Sequence, residues 1–338
     1  MENLIRDSHY IPRALLRNWS EDGKNVFGYR LLVSHPKVPE WQRCSIKWIA
    51  YQRDLYTTIE SGQEADCFEN WMAKKYEEPG LKAIEKVLKG TRLTRSDKRD
   101  LARLVAAQDV RTPLAYIEMM KHAAGFVPEV LGRCLEETIA KVQEANEKGI
   151  RIEPKGKSDP YSREVRLTYE PVTDGTSDKI AVRASVTLGR RWWIIGMQHL
   201  LSRSGVLCQH HWSILTPYGD EEWPLTDHPV LRLNYSGKDD YTFGGGWAFR
   251  GSEILMPLSP RHLLYAQVGK RPMTGVLPRE ITKEIQRFFV ERAFRWIFAR
   301  QPLPWVAKLR PRMVDAVIFK EEAQAWNGWN KSQLEAER

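Results

Sequence analysis

Cysteine is scarce in this chain: four residues, at positions 44, 67, 134 and 208, among 338. None forms a Cys-x-x-Cys pair, which argues against a disulfide framework or a structural zinc module and fits a reducing compartment. No apolar run has the length needed to span a bilayer. The opening residues, Met1-Glu2-Asn3-Leu4-Ile5-Arg6-Asp7, contain no apolar signal core. A cytoplasmic protein without a membrane partner is the expectation. The common catalytic signatures are missing too. There is no Gly-x-Gly-x-x-Gly, no phosphate-cradling Gly-Lys-Ser loop, no His-Glu-x-x-His and no Gly-x-Ser-x-Gly elbow. Gly244-Gly245-Gly246 runs into Trp247 rather than a helix and reads as a loop. The sequence therefore names no cofactor and no metal-ligand set.

What the chain does have is a globular composition, with 42% hydrophobic and 28% charged residues. It also has positive charge in one place. The net charge is +9, and residues 261–320 hold 13 Lys/Arg against 4 Asp/Glu, leaving 39 of each sign elsewhere. One C-terminal segment supplies the whole excess. Such a segment can steer DNA or RNA to one face, or simply keep the protein soluble.

Short strands are expected at Lys24–Leu32 and Ser45–Ala50, and a helix over Asp66–Leu88 kinked at Pro79-Gly80. Thr94 with Asp97 three residues later predicts a capped helix start, with a kink at Pro113 and a further helix over Pro128–Glu147. The polar stretch 148–187 reads as an exposed hairpin or insertion. A helix follows at Gly189–Arg203. Strands follow at Val206–Thr216, Trp223–Leu233, Glu253–Leu258 and His262–Val268, then a long helix Pro278–Arg300 and strands within Val306–Lys320. The segment from 321 reads as a loosely held polar tail. Segregated helices and antiparallel hairpins predict an α+β fold, helices packed on antiparallel sheet, over residues 1–320.

Several polar residues fall where apolar ones belong. Leu101, Leu104, Val105, Ala115 and Met119 form one helical stripe, and Gln108 and Arg111 lie inside it. A core-facing arginine is costly unless paired, so Arg111 needs a carboxylate, carbonyls or an anion opposite it. A hairpin between Val206–Thr216 and Trp223–Leu233 would set His210 diagonally from Asp227, an arrangement used both in acid–base chemistry and in structural hydrogen bonds. Glu69 and Glu77, eight residues apart, can approach a common site or remain solvated. Arg279, Lys283 and Arg287 recur every four residues as a basic stripe, opposite an inward face of Ile281, Ile285 and Phe288.

With these residues in view, the chain resembles the bacterial domain-of-unknown-function family 4238. The resemblance rests on His9-Tyr10-x-Pro12 with Leu16-Arg17-Asn18-Trp19, and on Asp54-Leu55-Tyr56. It continues through Gln108-x-x-Arg111-Thr112-Pro113, Thr226-Asp227-x-Pro229-Val230 and Pro257-Leu258-Ser259-Pro260. It brings no activity with it. It implies that His9, Gln108, Arg111 and Asp227 belong to one pattern, and by association it suggests a phage-defence or mobile-element setting.

Two functions follow as expectations. One is a nuclease-like hydrolase of phosphodiester bonds. In it His9 or His210 is the general acid–base, Asp227 orients an imidazole or holds a metal, and Arg111 stabilises phosphate charge. Gln108, Arg279, Lys283 and Arg287 would bind the DNA or RNA. The other is a non-catalytic interaction subunit of a defence complex, docked on a protein partner, with the same polar set as a sealed network. An enzyme acting on a small phosphorylated metabolite is a weaker third.

Overall fold

The helical half of the chain is organised by its caps. In a computed structural model, which describes residue 4 and residues 6–60, 63–151, 165–171 and 180–337, the first helices are α1 (Arg13–Leu16), α2 (Cys67–Met72) and α3 (Glu78–Leu88). They are followed by α4 (Arg95–Val110) and α5 (Pro113–Glu147). Thr94 and Asp97 form the reciprocal capping box expected of them. Pro113 does not kink one helix. It opens a second, because Thr112 caps α5 and a proline at the first helical position forfeits no hydrogen bond. Arg111 and Thr112 are thus the whole junction between two long helices. The expected break at Pro79-Gly80 lies earlier, in a π-helical turn at Ala73–Glu77. Gly80 serves packing instead: a Cβ there would lie 2.5 Å from Leu104 Cβ, so α3 and α4 cross closely.

The later helices are α6 (Arg190–Ser202), α7 (Arg279–Arg292), α8 (Pro304–Leu309), α9 (Ala316–Asn327) and α10 (Trp329–Glu337). Helices and mostly antiparallel sheets make this an α+β fold. The larger sheet has the order Asp240–Thr242, Leu231–Gly237, Glu253–Ser259, His262–Gln267, Trp212–Thr216, Gly275–Val276, with only the last pair parallel. A second sheet runs Leu225–Thr226, Trp296–Ala299, Asn25–Arg30, Trp41–Ser45. Among the described residues no helix is long and apolar enough to cross a membrane.

Several expected elements are corrected. Ile46–Trp48 is a 3-10 turn rather than part of a strand. Pro128 lies inside α5, so the two expected helices are one. Trp212–Thr216 pairs with His262–Gln267, not with the segment after Trp223, which contributes only Leu225–Thr226 to the other sheet. Alternation had fixed which residues share a face but could not choose the partner strand. The helix expected over Pro278–Arg300 stops at Arg292, and Trp296–Ala299 is a strand. Val306–Lys320 is mostly helical rather than strand.

The segment from 321 is helical and docked: Trp329 is buried, Gln333 accepts from the Arg190 amide, and Gln52 donates to the Trp326 carbonyl. Within the polar stretch 148–187, Val165–Pro171 and Ile180–Val186 form an antiparallel hairpin. Lys155-Gly156-Lys157 and Asp174-Gly175 lie outside the described residues.

The main core gathers the N-terminal segment with the helices: Ile11, Leu15, Leu16 and Trp19 are buried with Leu101, Val105 and Trp193. Trp19 Nε1 donates to the Trp223 carbonyl at 2.8 Å, and Asn18 donates to the Leu258 carbonyl at 2.7 Å. The Leu16–Trp19 motif is therefore pinned to the Pro257–Pro260 motif some 240 residues later.

Candidate functional site

Arg111 sits at the α4–α5 junction with no solvent exposure. Its guanidinium ion-pairs Glu77, lies 3.7 Å from Glu69 and donates to the His9 carbonyl at 2.7 Å. Tyr56 packs against it and donates its hydroxyl to the Arg111 carbonyl at 2.5 Å. The π-helical turn explains how two carboxylates reach one cation. Eight residues of regular α-helix leave side chains about 80° apart, and the wider turn at Ala73–Glu77 removes that offset. Burial opposes the charge of Arg111, but Glu77, Tyr56 and Glu69 together hold its pKa above the ordinary value. Burial pushes the Glu69 carboxyl up to about 7, against the pull of Arg111. Arg111 thus spends its donors on the protein.

His9 meets this cluster through its carbonyl, not its ring. The strand Asp7–His9 pairs with Tyr51–Arg53, and the imidazole lies against Tyr51, with ring centres 5.5 Å apart. Burial and the charge of Arg13 lower its pKa. Asp227 is also engaged with backbone. Its carboxylate accepts the amides of Phe294, Arg295 and Trp296 at 2.8, 2.7 and 3.0 Å. That clasp ends α7 and starts the next strand. Burial pushes Asp227 up to about 6 even though the three amides pull it down. His210 is not beside it. It ends a 3-10 turn, bonds the Trp247 carbonyl at 2.7 Å, and lines a separate surface groove with His211, Lys270 and Arg271. The expected His210–Asp227 contact is corrected because the two residues flank strands of different sheets.

The junction still joins the motifs. Thr112 Oγ1 bonds His228 Nδ1 at 2.7 Å, one residue from Asp227, and Thr226 bonds the His228 carbonyl. His9, Arg111 and Asp227 therefore belong to one connected frame whose side chains point to different tasks. Gln108 is fully buried, and neither end of its amide has a hydrogen-bond partner among the described residues.

Beside the frame lies a polar cluster hidden in the unspecified positions of the motifs. Asp109 is buried, accepts Trp247 Nε1 at 2.7 Å and pairs with Arg232 at 3.2 Å, all on Oδ2. Its Oδ1 is buried without a partner. Arg292, paired with Glu118 at 2.7 Å, shares the field of Arg232 on both Asp109 and His228. Burial raises the Asp109 pKa; burial first, then these arginines, pushes His228 well below the ordinary range, so its ring is neutral. Asp109 and His228 were legible only as neighbours of Gln108 and Asp227.

The basic stripe lines a different groove, of about 840 Å³, with Lys238, Trp305 and Lys308. Lys283 pairs with Glu221 at 2.6 Å, and Arg287 lies 3.5 Å from Glu284 and 3.7 Å from Glu291. Arg279 has no ion pair among the described residues. Ile285 and Phe288 are buried beneath, as the stripe requires, while Ile281 is half-buried.

An α+β protein whose helix junction is tied to the N-terminal strand by buried Arg111 and to the inter-sheet loop by Thr112 is what the fold and this frame define. The chain belongs to the family described as protein of unknown function (DUF4238), which it matches over residues 8–302. No curated protein and no solved structure matches it.

Two outcomes follow. Asp227→Asn puts an NH₂ among three amide donors and leaves at least one without an acceptor. The variant is expected to lose roughly 3 kcal/mol in urea unfolding; an unchanged midpoint would contradict the clasp. For Glu69, the folded state binds its proton below about 7, whereas the unfolded carboxyl releases it near 4.5. Folding therefore takes up a proton between those values, and stability falls as pH rises through that window. Glu69→Gln should flatten that slope, gaining roughly 1–3 kcal/mol over wild type above pH 7 and little near pH 4.5. Parallel stability curves for the two proteins would contradict it.

Proposed function

We propose that the protein binds single-stranded nucleic acid along the groove between α7 and α8. The observation that carries this reading is the groove's lining. Lys238, Arg279, Lys283, Arg287 and Lys308 surround the indole of Trp305, against two carboxylates, Glu280 and Glu284. Spaced cations track a phosphate backbone, and an indole offers a stacking face to any base. The groove also lies in the segment that supplies the net charge of the chain. The pairs Lys283–Glu221 and Arg287–Glu284 are partly exposed, so exchanging carboxylate for phosphate costs little.

Phosphodiester hydrolysis is the second reading, favoured by the polar cluster around His228. A buried imidazole in the field of Arg232 and Arg292 suits proton transfer beside a phosphate. In this reading the chemistry moves from Arg111 and Asp227, whose polar atoms serve the frame, to His228 and Asp109.

Titration of a labelled single-stranded oligonucleotide, at salt from roughly 50 mM to 200 mM, tests binding. The wild type should bind with a salt-dependent affinity. Changing Arg279, Lys283 and Arg287 together to Gln should weaken binding at low salt and flatten the slope by about 0.7 per lost phosphate contact. Absence of association with DNA and RNA would remove the reading. Cleavage of the bound strand, lost in His228→Gln with binding retained, would support the hydrolase; cleavage surviving that change would exclude His228 from it.

A further inference from the structure

A further cavity, of about 250 Å³, opens beside the Asp227 clasp. Its walls include Tyr10, Arg30, Asp227, Trp296, Glu322 and Trp326. Tyr10 and Asp227 of the family pattern reach it, Arg30 does not belong to that pattern, and the proposed groove shares no residue with it.

Arg30 is the reason to expect a ligand. It ends the strand Asn25–Arg30, and its guanidinium lies over the Trp296 ring at 5.2 Å and the Phe319 ring at 4.4 Å. Two aromatic rings pack against its π surface, which leaves hydrogen bonding to its N–H edges. Those edges have no ion pair or hydrogen bond among the described residues, and Nε is buried without a partner. A guanidinium in that position is costly unless an acceptor meets it.

The two acids nearby have other partners: Glu322 gives Oε2 to Arg295 at 2.5 Å, and Asp227 gives its oxygens to three backbone amides. The Tyr10 hydroxyl, on a buried ring in the same wall, also lacks a hydrogen-bond partner among the described residues. A planar fork and a hydroxyl donor thus face one small space.

We propose that this cleft binds a small planar monocarboxylate, its two oxygens taken by the Arg30 edge and the Tyr10 hydroxyl. Fork geometry matches carboxylate and phosphate alike. The charge of the walls separates them: Arg295 in the same wall pairs with Glu322, so Arg30 offsets a monoanion, whereas a dianion keeps one charge uncompensated beside Asp227. The volume lies below the roughly 300–1,000 Å³ of ordinary ligand pockets. It admits one ring with its carboxylate, not a nucleotide. Trp326 supplies a flat apolar wall for that ring.

The test is calorimetric titration of the full chain with benzoate, and separately with inorganic phosphate. Benzoate should bind saturably at one site and more tightly than phosphate. Arg30→Gln should weaken it by about tenfold or more, the scale of a lost charge-assisted hydrogen bond. Tyr10→Phe, which removes one oxygen, should weaken it several-fold and keeps the test decisive if Arg30→Gln does not fold. The triple α7 variant should bind benzoate like the wild type, which separates this cleft from the nucleic-acid groove. No saturable binding of benzoate, tighter binding of phosphate, or unchanged affinity in Tyr10→Phe would each overturn the proposal.

Discussion

Arg111 is the constraint around which the rest is arranged. A fully buried guanidinium is tolerable only if its surroundings bring acceptors, and here four groups meet it. The N-terminal strand offers the His9 carbonyl, the α2–α3 region offers Glu69 and Glu77, and Tyr56 closes one face. The π-helical turn, the helix break before Pro113 and the depth of the N-terminal segment all serve that set of bonds. Such a centre contributes uniqueness more than net stability, since desolvation offsets much of the Coulomb attraction. Removing one partner is a different matter, because it strands a buried charge.

From that centre the structure builds outward by side-chain to backbone ties. Thr112 carries the junction to His228, and the adjacent Asp227 clasps the amides that turn α7 into a strand. Trp19 and Asn18 lock the N-terminal segment to the Trp223 loop and the strand Glu253–Ser259, more than 200 residues away. The groups with donors or protons to spare lie at the edges of this frame: the Asp109–His228 cluster on one side, the Arg30 cleft on another, and the α7 groove beyond.

The α+β class, the Thr94 cap, the anomaly at Arg111 and the α7 stripe were legible because each rests on local periodicity or on one short-range rule. The need for a partner at Arg111 was legible too, and the two carboxylates were visible; the π turn that aligns them was not. His210 and Asp227 were misread as a pair because strand alternation does not name the partner strand. The end of α7 was hidden for a similar reason. The run from Phe288 to Ala299 contains no glycine or proline, and its stop signal is a carboxylate 67 residues earlier. Residues such as Asp109 and His228 were passed over because they sit in the unspecified positions of otherwise recognisable motifs.

The central claim, that Arg111 is the keystone of the fold rather than a phosphate-binding group, is tested most directly by urea unfolding of Arg111→Met at neutral pH. Methionine preserves apolar contact but leaves Glu69, Glu77 and the His9 carbonyl without their cation. The account predicts a loss of at least about 3 kcal/mol, with early exchange of the amides of the N-terminal strand. A variant with the wild-type unfolding midpoint that fails only in binding or cleaving nucleic acid would contradict it.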